Sequence, residues 1–206
     1  MRRIAQILSV LFHPLMMVTY GMILAVTCTY MAVFPASFKW MLVGMTFLTT
    51  AFLPGGAIAL LAKTGVIQDM SLDNRRERAL PFLFYMASLL FCLYFYRKMM
   101  MPFWMIALLA GTLAAMAITL LVNFVWKISA HCIGIGGLLG GLMGVARIYH
   151  LNPYPSVMVW IILAGMLATS RLYLEKHTPT QVYIGFCLGF ICTFASSILS
   201  YIYLFI

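Results

Sequence analysis

The chain has 206 residues, of which 65% are hydrophobic and only 8% are charged. A soluble domain carries about 25% charged residues, so this composition excludes an ordinary soluble protein and predicts a single polytopic membrane domain, residues 1–206. The net charge of +9 would favour nucleic acid as a partner of a soluble protein. Here the basic residues lie at the ends of apolar runs, so we expect membrane lipids or an anionic substrate instead.

The apolar runs are continuous rather than alternating, which predicts an all-α bundle of six to seven transmembrane helices. With about 20 apolar residues to a span, the predicted spans are 4–33, 38–62, 80–96, 102–126, 129–148, 156–170 and 178–206. We expect His13-Pro14 to kink or delay the first span, because proline lacks the N–H that a helix interior needs.

Small residues mark the fifth span. Gly136, Gly140 and Gly144 form a small-x-x-x-small ladder, a pattern that lets helix backbones approach closely in lipid. The five cysteines lie in apolar runs without a Cys-x-x-Cys pair, so we interpret them as packing residues. No metal and no cofactor are expected.

If each span crosses once, three polar clusters share one face of the membrane: Arg75–Pro81, Lys127–His131 and Ser170–Gln181. That face then carries nine of the thirteen Lys and Arg residues. The positive-inside rule would make it cytoplasmic, but several of these bases are candidates to bind substrate, so the face is left open. We expect an integral protein of a bacterial inner membrane.

The cluster Lys127–His131 precedes the fifth helix. Ser129 is a good N-cap, which puts His131 in the first turn. A helix start binds phosphate through its N–H groups and dipole, and Lys127 adds a charge. The alternative is a capped helix with an interfacial lysine and an incidental histidine.

Arg75, Arg76 and Arg78 precede the helix-opening Pro81 and could hold a phosphate bidentately. Arg78 is the best candidate because it lies closest to the membrane, although the sequence does not decide among the three. The alternative is a solvated loop with ordinary charge bias.

The third cluster joins the last two spans. Arg171 follows apolar residues, and its burial without an anion would be costly. His177 precedes Pro179, which suits the first position of a new helix. A histidine with a pKa near neutrality can act as a nucleophile or as an acid–base group.

These clusters resemble the three motifs of the type 2 phosphatidic acid phosphatase superfamily, in the same order along 75–181. Ser170-Arg171, five residues, His177, three residues and Gln181 is similar to the third motif, which ends in Asp. Ser129-Ala130-His131 resembles the second, Pro-Ser-Gly-His, and Arg78 with Pro81 loosely resembles the first.

The resemblance implies a metal-independent phosphohydrolase, or phosphotransferase, that acts on a lipid or isoprenoid phosphate. His177 would attack phosphorus and form a phosphohistidine, and His131 would protonate the leaving oxygen. Arg78, Ser129 and Arg171 would hold the phosphoryl oxygens, with Ser170 and Lys127 beside them.

Three positions depart from the family pattern. Gln181 replaces the aspartate that should orient His177; its carbonyl can accept a hydrogen bond but brings no negative charge. Ser71 stands where the family has lysine, a charge that Lys127 could supply, and two residues separate Arg78 from Pro81. Gln181 also fits a capping box with Thr178, as residue N3 to the N-cap.

Two other functions stay open on the sequence alone. One is a catalytically weak or inactive relative that binds a phosphorylated lipid or serves as a scaffold. The other is a small transporter or an unrelated bundle, although transporters tend to place polar groups near the bilayer midplane. His13 could approach the site, but its neighbours in sequence offer no partner.

Overall fold

The computed structural model describes residues 2–67 and 75–204 of the chain, and this part is all-α. Helices begin and end as follows: α1 Arg2–Leu11, α2 Pro14–Cys28, α3 Ala36–Phe47, α4 Leu53–Lys63, α5 Ala79–Lys98, α6 Phe103–Val125, α7 Ala130–Ile148, α8 Tyr154–Tyr173 and α9 Pro179–Leu204. A π-helical turn, Leu48–Phe52, joins α3 to α4 in one apolar rod, Ala36–Lys63. Single 3-10 turns cover Tyr30–Val33 and Arg75–Arg78.

If α3 and α4 are counted as one segment, six helical segments of the described chain are long and apolar enough to cross a membrane: Ala36–Lys63, Ala79–Lys98, Phe103–Val125, Ala130–Ile148, Tyr154–Tyr173 and Pro179–Ile202. This confirms the predicted all-α membrane bundle. Within the described residues, helix ends fall within a few residues of the predicted spans from the second onward. The protein is therefore an integral membrane protein.

The first predicted span, 4–33, is not one continuous helix, and the kink expected at His13-Pro14 is present. The chain breaks between α1 and α2, whose axes differ by 59°. His13 is extended (φ −62°, ψ 139°), as a residue before proline prefers, and Pro14 opens α2. The Nδ1 atom of His13 also accepts a hydrogen bond from the Leu15 N–H at 3.4 Å, which caps the new helix.

Helix α1 is amphipathic and lies against α8. Ala5 and Ser9 are buried in that contact, while Ile4 and Ile7 are exposed at 61% and 64%. A helix with one protein-facing side, an exposed apolar side and terminal arginines suits the membrane–water interface. Its position brings Ser9 to the polar end of the bundle.

Glycines set the distance between α7 and α9. A Cβ on Gly136 would lie 2.2 Å from the Phe186 carbonyl oxygen, and one on Gly140 would lie 2.3 Å from that of Phe190. On the other helix, a Cβ on Gly189 would lie 2.0 Å from the Ile133 carbonyl oxygen. The ladder predicted from the sequence is therefore the surface on which these two backbones meet.

This close pair positions the site. The first turns of α7 and α9 lie side by side, and the Ser129 N–H donates to the Gln181 carbonyl oxygen at 3.3 Å. The 3-10 turn Arg75–Arg78 joins them, since Arg78 Nη1 donates to the Ile128 carbonyl oxygen at 3.2 Å. Three segments far apart in sequence thus meet at one end of the bundle, as the count of membrane crossings predicts.

Candidate functional site

His177 lies in the turn between α8 and α9 and is only 7% exposed. A Schellman turn ends α8: the Lys176 N–H donates to the Arg171 carbonyl oxygen at 3.2 Å and the Glu175 N–H to that of Leu172 at 2.9 Å. Glu175 takes the left-handed conformation, φ 54°, that this turn requires. The reversal brings His177 back over the end of the helix that carries Arg171.

A hydrogen bond fixes the tautomer of His177. Its Nδ1 lies 3.0 Å from Gln181 Oε1, and the Thr178 N–H donates to the same atom at 3.2 Å. Because a backbone N–H is always a donor, the shared atom is the amide oxygen, and the His177 Nδ1 must carry the proton. The lone pair of the imidazole is therefore on Nε2, the nitrogen that a nucleophile would use.

The same contact is one arm of the predicted capping box. Thr178 precedes the first residue of α9, Pro179, and Gln181 is the third residue of the helix. The side chain of Gln181 reaches back to the N–H of Thr178, as a capping box requires. The Oε1 atom of Gln181 thus caps α9 and orients the His177 ring at the same time.

Burial above all, against the opposing effect of the Gln181 hydrogen bond and together with the charges of Arg78, Arg171 and Lys127, lowers the pKa of His177 from 6.5 to about 3. The imidazole is therefore neutral at pH 7. The charges of the three cations thus act on the same imidazole. A neutral nucleophile among positive charges is suited to an anionic, phosphate-like substrate.

Arg78 is the buried arginine of the 3-10 turn, at 5% exposure. Arg75 is exposed and donates to the Val125 carbonyl oxygen, so its guanidinium lies at the end of α6. The side chain of Arg76, and Ser71, lie outside the described residues. Of the two arginines that can be compared, Arg78 is the one whose charge acts on His177.

Ser129 occupies the N-cap position of α7 but does not cap it with its side chain. Its Oγ is fully buried and makes no hydrogen bond to nitrogen or oxygen in the described chain. A buried hydroxyl without such a partner costs free energy unless a ligand or water satisfies it. The predicted cap is therefore wrong as to the hydroxyl, which interacts with the Cys132 thiol instead.

Ser170 and Arg171 lie within the last turn of α8 rather than after it. The Ser170 hydroxyl donates to the Met166 carbonyl oxygen at 2.8 Å, so its only proton is used inside the helix. Arg171 is 8% exposed, and its Nη1 donates to the Ser9 hydroxyl at 3.3 Å. Arg171 is therefore still a candidate to bind a ligand together with His177. Ser170 can only accept hydrogen bonds from a ligand, through the lone pairs of its oxygen.

His131 meets the N-terminal helix. Its Nε2 lies 3.1 Å from the Ser9 carbonyl oxygen, and its ring is 5.5 Å from that of His13 in an edge-to-face contact. Arg171 and His177 both interact with it electrostatically. The expectation that His13 could approach the site is met by this ring contact. Sequence reasoning missed Ser9, because α1 reaches the site only through the bend before Pro14.

The surface at His177 is an open depression lined by Lys127, Glu175, Lys176, His177 and Gln181, with three neighbouring residues. Arg78, Ser129, His131, Ser170 and Arg171 do not line it. The predicted residues thus form two layers. Lys127, His177 and Gln181 line the depression, and the other five do not reach it. Among the described residues, no three His, Cys, Asp or Glu side chains converge as metal ligands would.

Comparison with known proteins finds no matching family model, no matching curated protein and no matching solved structure.

Proposed function

We propose that this protein is a membrane-embedded phosphatase of lipid or isoprenoid phosphates, a divergent relative of the type 2 phosphatidic acid phosphatase superfamily. The observation that carries the proposal is the state of His177. Its Nδ1 proton is held by Gln181, and its imidazole is neutral at pH 7, with the lone pair on Nε2. The charges of Arg78, Arg171 and Lys127 act on this ring. A histidine that can act as a nucleophile and cations that can bind phosphate thus lie at one end of the bundle, which supports the proposal.

In the proposed reaction, His177 Nε2 attacks phosphorus. The N–P bond forms as the bond from phosphorus to the leaving oxygen breaks, and His131, as the imidazolium, gives that oxygen a proton and becomes neutral. Water then attacks the phosphohistidine, the N–P bond breaks, and the proton of the water returns to His131. The arginine forks of Arg78 and Arg171 stabilise the charge on the phosphoryl oxygens in both steps.

This reaction requires one rearrangement. In the structure His131 Nε2 is engaged by the carbonyl oxygen of Ser9. To protonate the leaving group, His131 must exchange that oxygen for the one on the substrate. Helix α1 holds the oxygen and meets α2 at an angle of 59°. We propose that the break between these two helices is the hinge for such a movement.

A second function is favoured by the same contacts: a relative that binds a phosphorylated lipid without turning it over. Gln181 gives the His177 imidazolium no negative charge, and His131 is occupied by the backbone of Ser9. Both features leave phosphate binding by Arg78, Arg171 and Ser129 intact. In either case we propose the bacterial inner membrane as the location, since helical bundles rather than barrels occupy it.

The deciding experiment is phosphate release from a panel of lipid and isoprenoid phosphates by the purified chain. We expect His177→Ala to reduce release by at least about 10³-fold, since it removes the nucleophile. The matched control is His150→Asn, which changes an exposed histidine after α7 to a residue that tolerates its φ of 51°.

A radiolabelled substrate should also leave an acid-labile phosphate on the wild type and on His150→Asn, and none on His177→Ala. Equal release by wild type and His177→Ala would contradict the phosphatase. Tight lipid phosphate binding with no release by any of them would establish the binding protein instead.

A further inference from the structure

A long apolar cavity of about 170 Å³ runs through the bundle, outside the cluster around His177. Its walls are α2, α6 and α7, with side chains of α5 and α9 closing it. Most of the lining is aliphatic or aromatic, for example Met17, Leu109 and Leu138. Such a cavity excludes water and accepts hydrocarbon.

Glycines hollow the cavity out. Gly21 of α2 lies on its wall, and a Cβ added there would meet nothing within 4 Å. Gly137 and Gly141 line it on α7, where an added Cβ would meet Thr193 Cγ2 of α9 at 3.5 Å and Leu108 Cδ2 of α6 at 3.1 Å. Gly21 thus leaves open space in the cavity, and the glycines of α7 let the other walls come close.

The cavity extends along nearly the whole of α7. Its lining on that helix begins at Ala130 and ends at Ala146, a distance of about 24 Å at 1.5 Å per residue. At one end it is lined by Pro14 and Ala130, the neighbours in sequence of His13 and His131. At the other end its lining becomes more polar, with Thr29 and Asn152.

We propose that this space, the chain cavity, holds one hydrocarbon chain of a phosphate monoester whose phosphate group lies at His177 and Arg171. The inference rests on the proposed function for the position of the phosphate. It adds the shape of the substrate: a single long chain that runs away from the site towards the opposite membrane face. A volume of about 170 Å³ spread over such a length takes one chain in single file and leaves no room for a second.

The shared chemistry is therefore a phosphate on one extended apolar chain. A linear alkyl chain and a prenyl chain both meet this description, and a glycerol phosphate with two acyl chains does not. Each methylene that enters the cavity should tighten binding by up to about fourfold, from the transfer free energy of a buried CH₂. The gain should cease once the chain is longer than the cavity.

The test is photolabelling of the purified full-length protein with hexadecyl phosphate that carries a diazirine at the end of its chain. We expect the label on cavity residues of α2, α6 or α7 near Thr29 and Val145. Competition should strengthen from octyl to dodecyl to hexadecyl phosphate. Hexadecyl and prenyl phosphates compared at similar length identify the source of the chain, and effective competition by either supports the cavity.

Two glycine substitutions separate the cavity from the general lipid surface. Gly21→Leu fills the cavity and should reduce labelling at least tenfold, by the methylenes it displaces. Gly165→Leu is the matched control, because its Cβ also meets nothing within 4 Å but it lies exposed on α8, outside the cavity. If Gly21→Leu fails to fold, Gly21→Ala and Gly137→Ala give smaller losses in the same direction.

Equal labelling of the Gly21 and Gly165 variants would overturn the proposal, as would a diacyl phosphatidate that competes as well as hexadecyl phosphate. The two inferences fail in different ways. If the protein labels as expected but releases no phosphate from hexadecyl phosphate, the phosphatase is wrong and the chain cavity stands. If it releases phosphate while both variants label alike, the chain cavity is wrong.

Discussion

Gln181 Oε1 accepts two hydrogen bonds, from His177 Nδ1 at 3.0 Å and from the Thr178 N–H at 3.2 Å, and so ties the histidine to the first turn of α9. In the resembling family this position is an aspartate. The glutamine preserves the orientation and the tautomer that the aspartate would impose. It does not supply a negative charge that would stabilise the positive imidazole ring as the bond from Nε2 to phosphorus forms.

Gln181→Glu isolates the contribution of charge, because glutamate has the length of glutamine and also suits the third position of a capping box. We expect it to raise the pKa of His177 and to increase phosphate release at least tenfold. The scale comes from the serine protease triad, where exchange of the aspartate for asparagine costs roughly 10⁴-fold. Gln181→Leu, which removes the hydrogen bond, should decrease release, and the shorter Gln181→Asp should fall between Gln181→Glu and the wild type. Unchanged rates for Gln181→Glu would show that charge at this position does not limit the reaction.

The low pKa of His177 predicts a pH dependence of stability. Its pKa is 6.5 when unfolded and about 3 when folded, so between these values the unfolded chain binds more protons. The free energy of unfolding must then rise with pH across that window and decline as the pH falls from 6.5 towards 3. Thermal unfolding in detergent at pH 7 and pH 5 measures this.

The comparison with His177→Gln removes the contribution of other groups. The melting temperature of that variant should fall less between pH 7 and pH 5 than the melting temperature of the wild type. An equal loss in both proteins would show that His177 does not titrate in this window. The catalytic consequence is that release should not fall between pH 7 and pH 5 through protonation of His177.

Much of the fold follows from the sequence because the apolar runs and their interruptions are local features. The spans from 38–62 onward and the close-packing glycine ladder of α7 were predicted from residue patterns alone, while the partner of that ladder, α9, was not. The bend before Pro14 was predicted as a kink, but its consequence, the packing of α1 on α8 beside the site, was not predicted. Whether α1 turns along the membrane surface depends on its contact with α8, which no local pattern encodes.

The residues of the site also divide into those that the sequence predicts and those that it does not. The spacing from Ser170 to Gln181 predicts His177 and its partner because both lie within one turn and one helix start. The hydroxyl of Ser129 was expected to cap α7, yet the backbone of Ser129 instead contacts Gln181. Ser9 could not be found, because its link to His131 and Arg171 joins residues more than 120 positions apart in sequence.

Gly189→Ala tests whether the α7–α9 contact supports the site. The added Cβ would lie 2.0 Å from the Ile133 carbonyl oxygen, so one helix must move away from the other. We expect a loss of about 1–3 kcal/mol in stability, typical of overpacking, and weaker phosphate release because Ser129 and Gln181 separate. Gly165→Ala, on the exposed side of α8, should change neither quantity. A stable and fully active Gly189→Ala protein would show that this contact is not as tight as described.

Arg171→Lys tests whether the site uses the fork of a guanidinium or only its charge. The side chain is buried and donates to the Ser9 hydroxyl, and lysine would retain one positive charge without the planar pair of donors. Because paired N–H groups hold phosphate oxygens bidentately, we expect kcat/KM for a lipid phosphate to fall at least tenfold, or binding to weaken as much if the protein does not turn over. Arg147→Lys, an exposed change near the end of α7, is the control and should leave both unchanged. If Arg171→Lys matched the wild type while Arg171→Gln lost activity, the site would need only the charge, and a bidentate phosphate contact at Arg171 would be ruled out.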